Sequence, residues 1–359
     1  MLVRILAIDI GAGTEDVLLY DDERNIENCV KMVLPSPSRV YAEKVRTITQ
    51  LGKDLLVRGD VIGGGAFTAS LKEHLKRGLR VVMTEGAAYT VRNDLDEVRE
   101  LGIEIIKDKS DLEDFKGETL QVEEVNLGKL QSFLAGFNED LSHVDAVAVA
   151  VQDHGVFPKG TSNRRFRLQK MKEILEKDPR PESLAFKKEE IPHCFLRMRS
   201  ASEAVQRQLP RATFLVMDTS PAAILGCLKD SVVEMANSVL AVNVGNGHTM
   251  AAVIAEGNVI GIVEHHTRLL TTRKAEQLLR RFADGTLSDE EVFEDDGHGL
   301  FFLTKPPGFS KLEVIAATGP NRNMLSRASF RVHFAAPAGD VMMTGPIGLV
   351  EAAKRKLNL

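Results

Sequence analysis

Two glycine-rich turns hold the residues of this chain best placed to do chemistry. The first is Asp9-Ile10-Gly11-Ala12-Gly13-Thr14; the second is Asn243-Val244-Gly245-Asn246-Gly247-His248-Thr249. Glycine in such a turn lets backbone N–H groups come close to phosphate oxygens. Each turn follows an apolar β-type run (5–8 and 239–242) and precedes another (17–20 and 250–254). A matched pair in matched settings points to two related lobes and a phosphate clamp with one jaw from each. Two ordinary hairpin turns are the other reading, because glycine is common in turns.

Asp9 strengthens the clamp. A carboxylate at the end of a buried strand is costly without partners. Facing a cleft it can hold Mg²⁺ through water, the usual state of that ion beside nucleotide phosphates; capping its own turn is the alternative. A dinucleotide fingerprint fits poorly, because it needs a helix directly after the glycines. Here 16–21 is β-type, and Asp16 stands where the third glycine belongs. No G-x-x-x-x-G-K-[ST] occurs, which excludes a P-loop.

Other residues can also do chemistry. Asp153 and His154 follow an apolar run, 144–151, and strand ends are where α/β proteins place ligands. His154 can bind substrate, act as a base, or simply hydrogen-bond within its turn. Gly63-Gly64-Gly65 before a helical stretch offers either an anion site or a flexible strand-to-helix turn. His265-His266 and Asp295-Asp296-Gly297-His298 contain metal-ligand types, but neither shows a complete ligand set at a recognised spacing.

The elements that must position these residues alternate. Strands are expected at 55–57, 80–83, 103–106, 120–125 and 144–151, and helices at 66–76, 91–101 and 127–137. This is α/β order. The uniformly apolar 144–151 reads as a central strand buried on both faces. Residues 157–192 read as a polar connection containing Pro158, Pro179 and Pro181 and one helix, 166–177. Beyond it, helices are expected at 201–208, 222–228 and 273–282, strands at 212–217 and 312–317, and a small-residue turn with a terminal helix at 341–356. The acidic stretch 284–296 reads as surface. Two lobes follow, 1–155 and 156–359.

With 359 residues, 43% hydrophobic and 27% charged, the chain can bury sizeable cores. A net charge of −5 and a pI of about 6.0 argue against a nucleic-acid surface. Arg164, Arg165 and Arg167 form a tight basic cluster, read as a solvated loop. Cys29, Cys194 and Cys227 are too scattered for a local iron–sulfur or zinc-ribbon site, and they suit a reducing, cytoplasmic setting. The opening run 2–10 contains Arg4 and Asp9 and reads as a first strand rather than a signal peptide. No apolar run is long enough for a bilayer, so no membrane partner is expected.

Asp9, Gly11, Gly13 and Thr14, with Gly245, Gly247 and Thr249, resemble the two phosphate loops of the actin-like ATPase superfamily. That superfamily includes actin, heat-shock ATPases, acetate kinase and sugar kinases. The resemblance runs through the whole chain in order, on short motifs. It implies a two-domain α/β, ribonuclease H-like fold with ATP or ADP and Mg²⁺ between the lobes, with Gly11, Ala12, Gly13 and Thr14 of the first turn and Asn243, Gly245, Asn246, Gly247, His248 and Thr249 of the second touching nucleotide. Thr318-Gly319-Pro320-Asn321 sits where the adenosine turn belongs, without its usual glycine pair. Within the superfamily, Gln152-Asp153-His154-Gly155 is similar to the sugar-contacting turn of xylulokinase-like enzymes. Asp218, followed by Ala222-Ala223 and Gly226, resembles their catalytic base, although the spacing is two residues longer here. Thr344-Gly345-Pro346-Ile347-Gly348 resembles their terminal turn. The nearest likeness is to an actin-like ATPase family labelled pyruvate formate-lyase activating enzyme, a radical chemistry for which this chain lacks the cluster-ligating cysteines. Asn243 stands where many of these ATPases have Asp, and an amide cannot carry the charge that helps hold Mg²⁺.

The resemblance implies phosphoryl transfer from ATP to a small hydroxylated or carboxylated substrate, with Asp9 positioning Mg²⁺ and Asp218 as base. Two alternatives stand beside it: an ATPase switch regulating a protein partner, and a ligand-binding module without catalysis. A homo-oligomer is compatible with each.

Overall fold

The computed structural model describes residues 3–107, 115–157 and 162–359; Pro158 lies outside them. The chain opens with β1 (Arg4–Ile10), β2 (Thr14–Asp21) and β3 (Val30–Pro35), an antiparallel meander. Helix α1 (Pro37–Gln50) then leads into a separate unit. That unit contains β4 (Leu55–Gly59), α2 (Gly65–Lys76), β5 (Val81–Thr84), α3 (Glu85–Ala88), α4 (Leu95–Glu100), β6 (Glu104–Ile106) and β7 (Glu118–Val122). Its four strands form an all-parallel sheet in the order β6-β5-β4-β7, with its own core around Phe67 and Leu71.

Helix α5 (Leu127–Ala135) returns the chain to the first sheet through β8 (Ala146–Val151). Every residue of β8 is buried, as its unbroken apolar run requires of a central parallel strand. Then come α6 (Asn163–Leu175), β9 (Phe186–Lys187), α7 (Leu196–Gln208) and β10 (Thr213–Met217). The sheet order is β3-β2-β1-β8-β10-β9. Since β10 pairs beside β8, the first sheet draws on residues as far as 217 and does not end near 155. The break in composition after Gly155 marks a connection within the lobe. The cause is topological: β10 must lie parallel to β8, and a parallel neighbour needs a long crossover.

Helices α8 (Thr219–Cys227) and α9 (Ser231–Glu234) lead to the second sheet. It contains β11 (Ser238–Val244), β12 (His248–Ala255) and β13 (Asn258–His266), then α10 (Thr272–Ala283) and α11 (Asp289–Glu294), then β14 (Gly299–Phe302), β15 (Val314–Thr318) and β16 (His333–Phe334). The acidic stretch contains α11, whose start is closed by a capping box between Ser288 and Glu291. Helix α12 (Thr344–Leu357) ends the fold.

The two large sheets repeat one plan. In β3-β2-β1-β8-β10 and in β13-β12-β11-β15-β16 an antiparallel meander is extended by two parallel strands. This repeated plan agrees with the two-lobed α/β architecture that the resemblance implies. The helix after each sheet packs on the other one: α8 lies against β11, β12 and β15, and α12 against β1, β2 and β8. The two helices cross between the lobes backbone to backbone. A Cβ on Gly226 would sit 1.8 Å from the Thr344 carbonyl oxygen, and one on Gly348 would sit 1.9 Å from that of Ala222. No described helix is long and apolar enough to cross a membrane.

Candidate functional site

Both glycine turns are closed by the same bond. Gly11 N–H donates to the Thr14 carbonyl at 2.9 Å, and Gly245 N–H donates to the His248 carbonyl at 3.0 Å. Ile10 pairs with Glu15, and Val244 pairs with Thr249, so each hairpin has a loop of the same length. The turns face each other, since a Cβ on Gly13 would meet Asn246 Nδ2 at 2.6 Å. Between the lobes lies a cleft with about 760 Å³ of open space. Gly11, Ala12 and Thr14 border it on one side and Asn243, Gly245, Asn246, Gly247 and His248 on the other. Gly319 and Pro320 border it too. Gly319 has φ +90° and passes so close that a Cβ would lie 2.7 Å from Asn243 Oδ1, which explains glycine there.

Two expected nucleotide contacts are placed otherwise. Thr249 is buried beneath its turn, its hydroxyl 3.0 Å from that of Thr267, which in turn donates to the Gly245 carbonyl at 2.8 Å. Alternation along β12 turns it inward, so it braces the turn from behind. Asn321 donates from Nδ2 to the same carbonyl at 3.1 Å and ties the adenosine-type turn to the second loop.

At the cleft, Asp9 is paired across the hairpin with Asp16, which stands where a dinucleotide fingerprint would have its third glycine. Asp16 accepts from the Thr14 hydroxyl at 3.2 Å through Oδ2. Asp9 Oδ1 and Asp16 Oδ1 are both without hydrogen-bond partners. Burial, reinforced by Asp16 and Asp218, pushes the Asp9 carboxyl well above its ordinary range, and burial pushes Asp16 to about 7. Paired carboxylates with free oxygens are a donor set that fits a hydrated Mg²⁺. Spacing held a clue to Asp16: in a hairpin with a four-residue loop, it falls opposite Asp9. Asp9 also lies against the start of α12, where a Cβ on Gly345 would sit 1.9 Å from Asp9 Oδ2.

Asp218 is not a free base. It caps α8, and its two carboxylate oxygens accept from Arg167 Nε at 2.9 Å and from Arg167 NH2 at 2.6 Å. Arg167 is itself 1% exposed and also pairs with buried Glu264. The expected solvated arginine loop is thus a helix, α6, that sends one guanidinium into the interior. Two buried carboxylates compensate its charge, as a buried arginine requires. Sequence spacing could not find this triad, whose members lie on three distant elements.

A larger bay, with about 1,680 Å³ of open space, adjoins the cleft and shares Gly11, Ala12, Gln152 and His248 with it. Gln152 and His154 border this bay. Asp153 is buried and accepts from the N–H groups of Gly155 at 2.8 Å, Arg197 at 2.8 Å and Met198 at 3.1 Å. It therefore fastens the start of α7 and has no free proton-accepting role. Gly155 takes φ +72°. Gly63 N–H donates to Glu124 at 3.0 Å, so an internal carboxylate takes the place an anion would have there, and of the two readings of this glycine turn the strand-to-helix connection fits. Burial and the nearby Arg167 charge lower His154 to about 3, and burial lowers His248 to about 3, so both imidazoles are neutral at pH 7.

The sequence matches the family described as "Putative pyruvate format-lyase activating enzyme (DUF1786)" over residues 62–324. No curated protein matches it. Among solved structures it is similar to a ROK hexokinase from Thermus thermophilus, at 12% identity over 99% of each chain with a TM-score of 0.36. It is similar to a Listeria monocytogenes protein described as a "putative N-acetylmannosamine kinase", at 11% identity over 99% of this chain and 100% of that one, with a TM-score of 0.37. A Bacteroides thetaiotaomicron protein with an actin-like ATPase fold and unknown function is similar at 10% identity over 96% of this chain and 95% of that one, with a TM-score of 0.37.

Proposed function

The chain belongs to the DUF1786 family, and on that premise we propose that it binds ATP with Mg²⁺ in the inter-lobe cleft and transfers the terminal phosphoryl group to a small hydroxylated or carboxylated acceptor in the adjoining bay. The observation that carries this reading is the facing pair of identically closed glycine turns above two carboxylates with free oxygens. The turns offer N–H groups to phosphate. Asp9 and Asp16 would hold the hydrated ion, which neutralises charge on the phosphates. Phosphoryl transfer asks a protein mostly for positioning and charge stabilisation, and a bay beside the phosphate end supplies the position. Asp218 and Asp153 serve as struts in this scheme: one holds Arg167 and α8, the other holds α7.

The cleft's own charge makes the reading testable. Among the described residues bordering it there is no lysine or arginine, while Asp9 and Asp16 are acidic. A polyphosphate anion has nothing there to offset its charge except a bound cation. Calorimetric titration with ATP should therefore show binding with Mg²⁺, and at least about 100-fold weaker binding when EDTA replaces the ion or when Asp9→Ala is titrated. Equal affinity with and without Mg²⁺ would sink the proposal. Substrate screening by ADP release then identifies the acceptor.

A further inference from the structure

Three histidines meet where the lobes meet. His154 follows β8 of the first lobe, His248 begins β12 of the second, and His298 directly precedes β14. One ring nitrogen from each lies within 4.8 Å of the others. The ring centroids of His248 and His298 are 4.7 Å apart, and those of His154 and His298 are 5.8 Å apart. We propose that His154, His248 and His298 form a binding site for a divalent transition-metal ion of the zinc class, distinct from the carboxylate pair at Asp9 and Asp16.

His298 is the first reason. It is 1% exposed, and neither of its ring nitrogens has a hydrogen-bond partner. A buried polar group left in that state has lost its hydration with nothing in exchange, and an ion at its lone pair removes the penalty. Glu264 Oε2 lies 3.0 Å from His298 Nδ1, though off the direction of a good hydrogen bond. A small ring rotation makes this the carboxylate–histidine pairing that commonly supports a metal-bound imidazole, with Nε2 left for the ion. His248 is supported in the same way by Gln152, whose amide nitrogen stands 3.1 Å from His248 Nδ1. Turned over, that amide accepts from Nδ1–H and frees Nε2.

Charge is the second reason. Arg167 beside the cluster is paired with both Asp218 and Glu264, so the buried group carries one net negative charge. That charge favours a cation among the three imidazoles. Three imidazole donors suit zinc and its neighbours and do not suit Mg²⁺ or Ca²⁺. Nitrogens bound at about 2.0–2.1 Å in tetrahedral geometry lie roughly 3.4 Å apart, so the rings must close by about an ångström through side-chain rotation. A fourth position remains for water or a ligand oxygen, as in metal sites that act on substrates. His154 and His248 border the acceptor bay, so the ion would stand at its wall.

The site needs no nucleotide, so its test is separate from that of ATP binding. The full chain, stripped with EDTA and dialysed, is titrated with Zn²⁺ alone by calorimetry and with Co²⁺ alone by visible absorption. The expected result is one ion per chain, a tetrahedral Co²⁺ spectrum, and affinity lowered at least about 100-fold in both His154→Ala and His298→Ala. The exposed His143→Ala should bind as wild type does. Circular dichroism in EDTA confirms that each variant is folded; if His298→Ala is not, His154→Ala and the Co²⁺ spectrum decide. Absence of stoichiometric uptake by the wild type, or unchanged uptake in the folded histidine variants, overturns the proposal.

Discussion

The first and second glycine turns share a backbone and differ in charge. Each is a hairpin with the same loop length and the same closing bond, set on the inner strand of a sheet with the same order. Yet the first pairs Asp9 with Asp16 across its strands, while the second pairs Asn243 with Met250 at the matching register. Duplication supplied two equivalent cradles, and only one carries carboxylates for a cation. The helices after the two sheets differ in parallel: Asp218 caps α8 with its side chain, whereas Met343, at the same place before α12, makes no such bond. Architecture is symmetric here and electrostatics is not.

The largest effect should come from breaking the asymmetry at the helices. Arg167→Met leaves the buried carboxylates of Asp218 and Glu264 without their cation, and breaking a buried ion pair in that way typically costs about 3–5 kcal/mol. Denaturant unfolding should show that loss; a variant as stable as wild type would restore Asp218 as a candidate base. Next comes charge exchange between the turns. Asp9→Asn should weaken Mg²⁺–ATP binding about 100-fold, or roughly 2.7 kcal/mol, while Asn243→Asp alone should leave that binding within a fewfold. Comparable losses from both substitutions would mean that the turns share the ion equally.

Smaller effects sharpen the same contrast. Gly345→Ala forces a methyl group onto Asp9 and should cost about 1–3 kcal/mol of stability, the usual range for overpacking. In the second turn a Cβ on Gly247 meets nothing within 4 Å, so Gly247→Ala should be nearly neutral in thermal melts. A pH effect at Asp16 sharpens the contrast further. Its folded-state value of about 7 exceeds the ordinary 3.8, so the unfolded chain gives up this proton more readily. Stability contributed by the protonated form is therefore complete below about pH 4 and is lost as the pH rises to about 7. Asp16→Asn, which makes the first turn resemble the second, should melt a few degrees higher than wild type at pH 8 without metal, and the gap should close toward pH 4. A gap independent of pH would refute the burial-driven shift.

Local chemistry made part of this legible in the sequence. The glycine turns, the apolar β8 and the α/β order depend on neighbours along the chain, and they appear where their residues placed them. Helix α1 has little signature in the sequence because its residues are mostly polar and its buried face, Pro37, Ser38, Tyr41, Ala42, Val45 and Thr49, is itself partly polar. The helix expected at 91–101 is shorter, with Asp94 capping α4 only at Leu95. Arg167, Asp218 and Glu264 looked independent in sequence. Their meaning comes from three elements converging, as does that of His154, His248 and His298, and spacing alone cannot show convergence. Thr249 matched a motif, but strand alternation turned it away from the cleft.

The exchange of α8 and α12 has a consequence for how the chain folds. Each lobe's inner layer is supplied by a helix that belongs, in sequence, to the other lobe. A fragment cut between the sheets would expose the apolar face that the missing helix covers, and neither half would have a finished interior. The hydrophobic core that contains both helices also takes residues from both sheets, among them Ala148 and Ala252. The two large lobes should therefore melt in one transition, and half-chains should recover structure only when mixed.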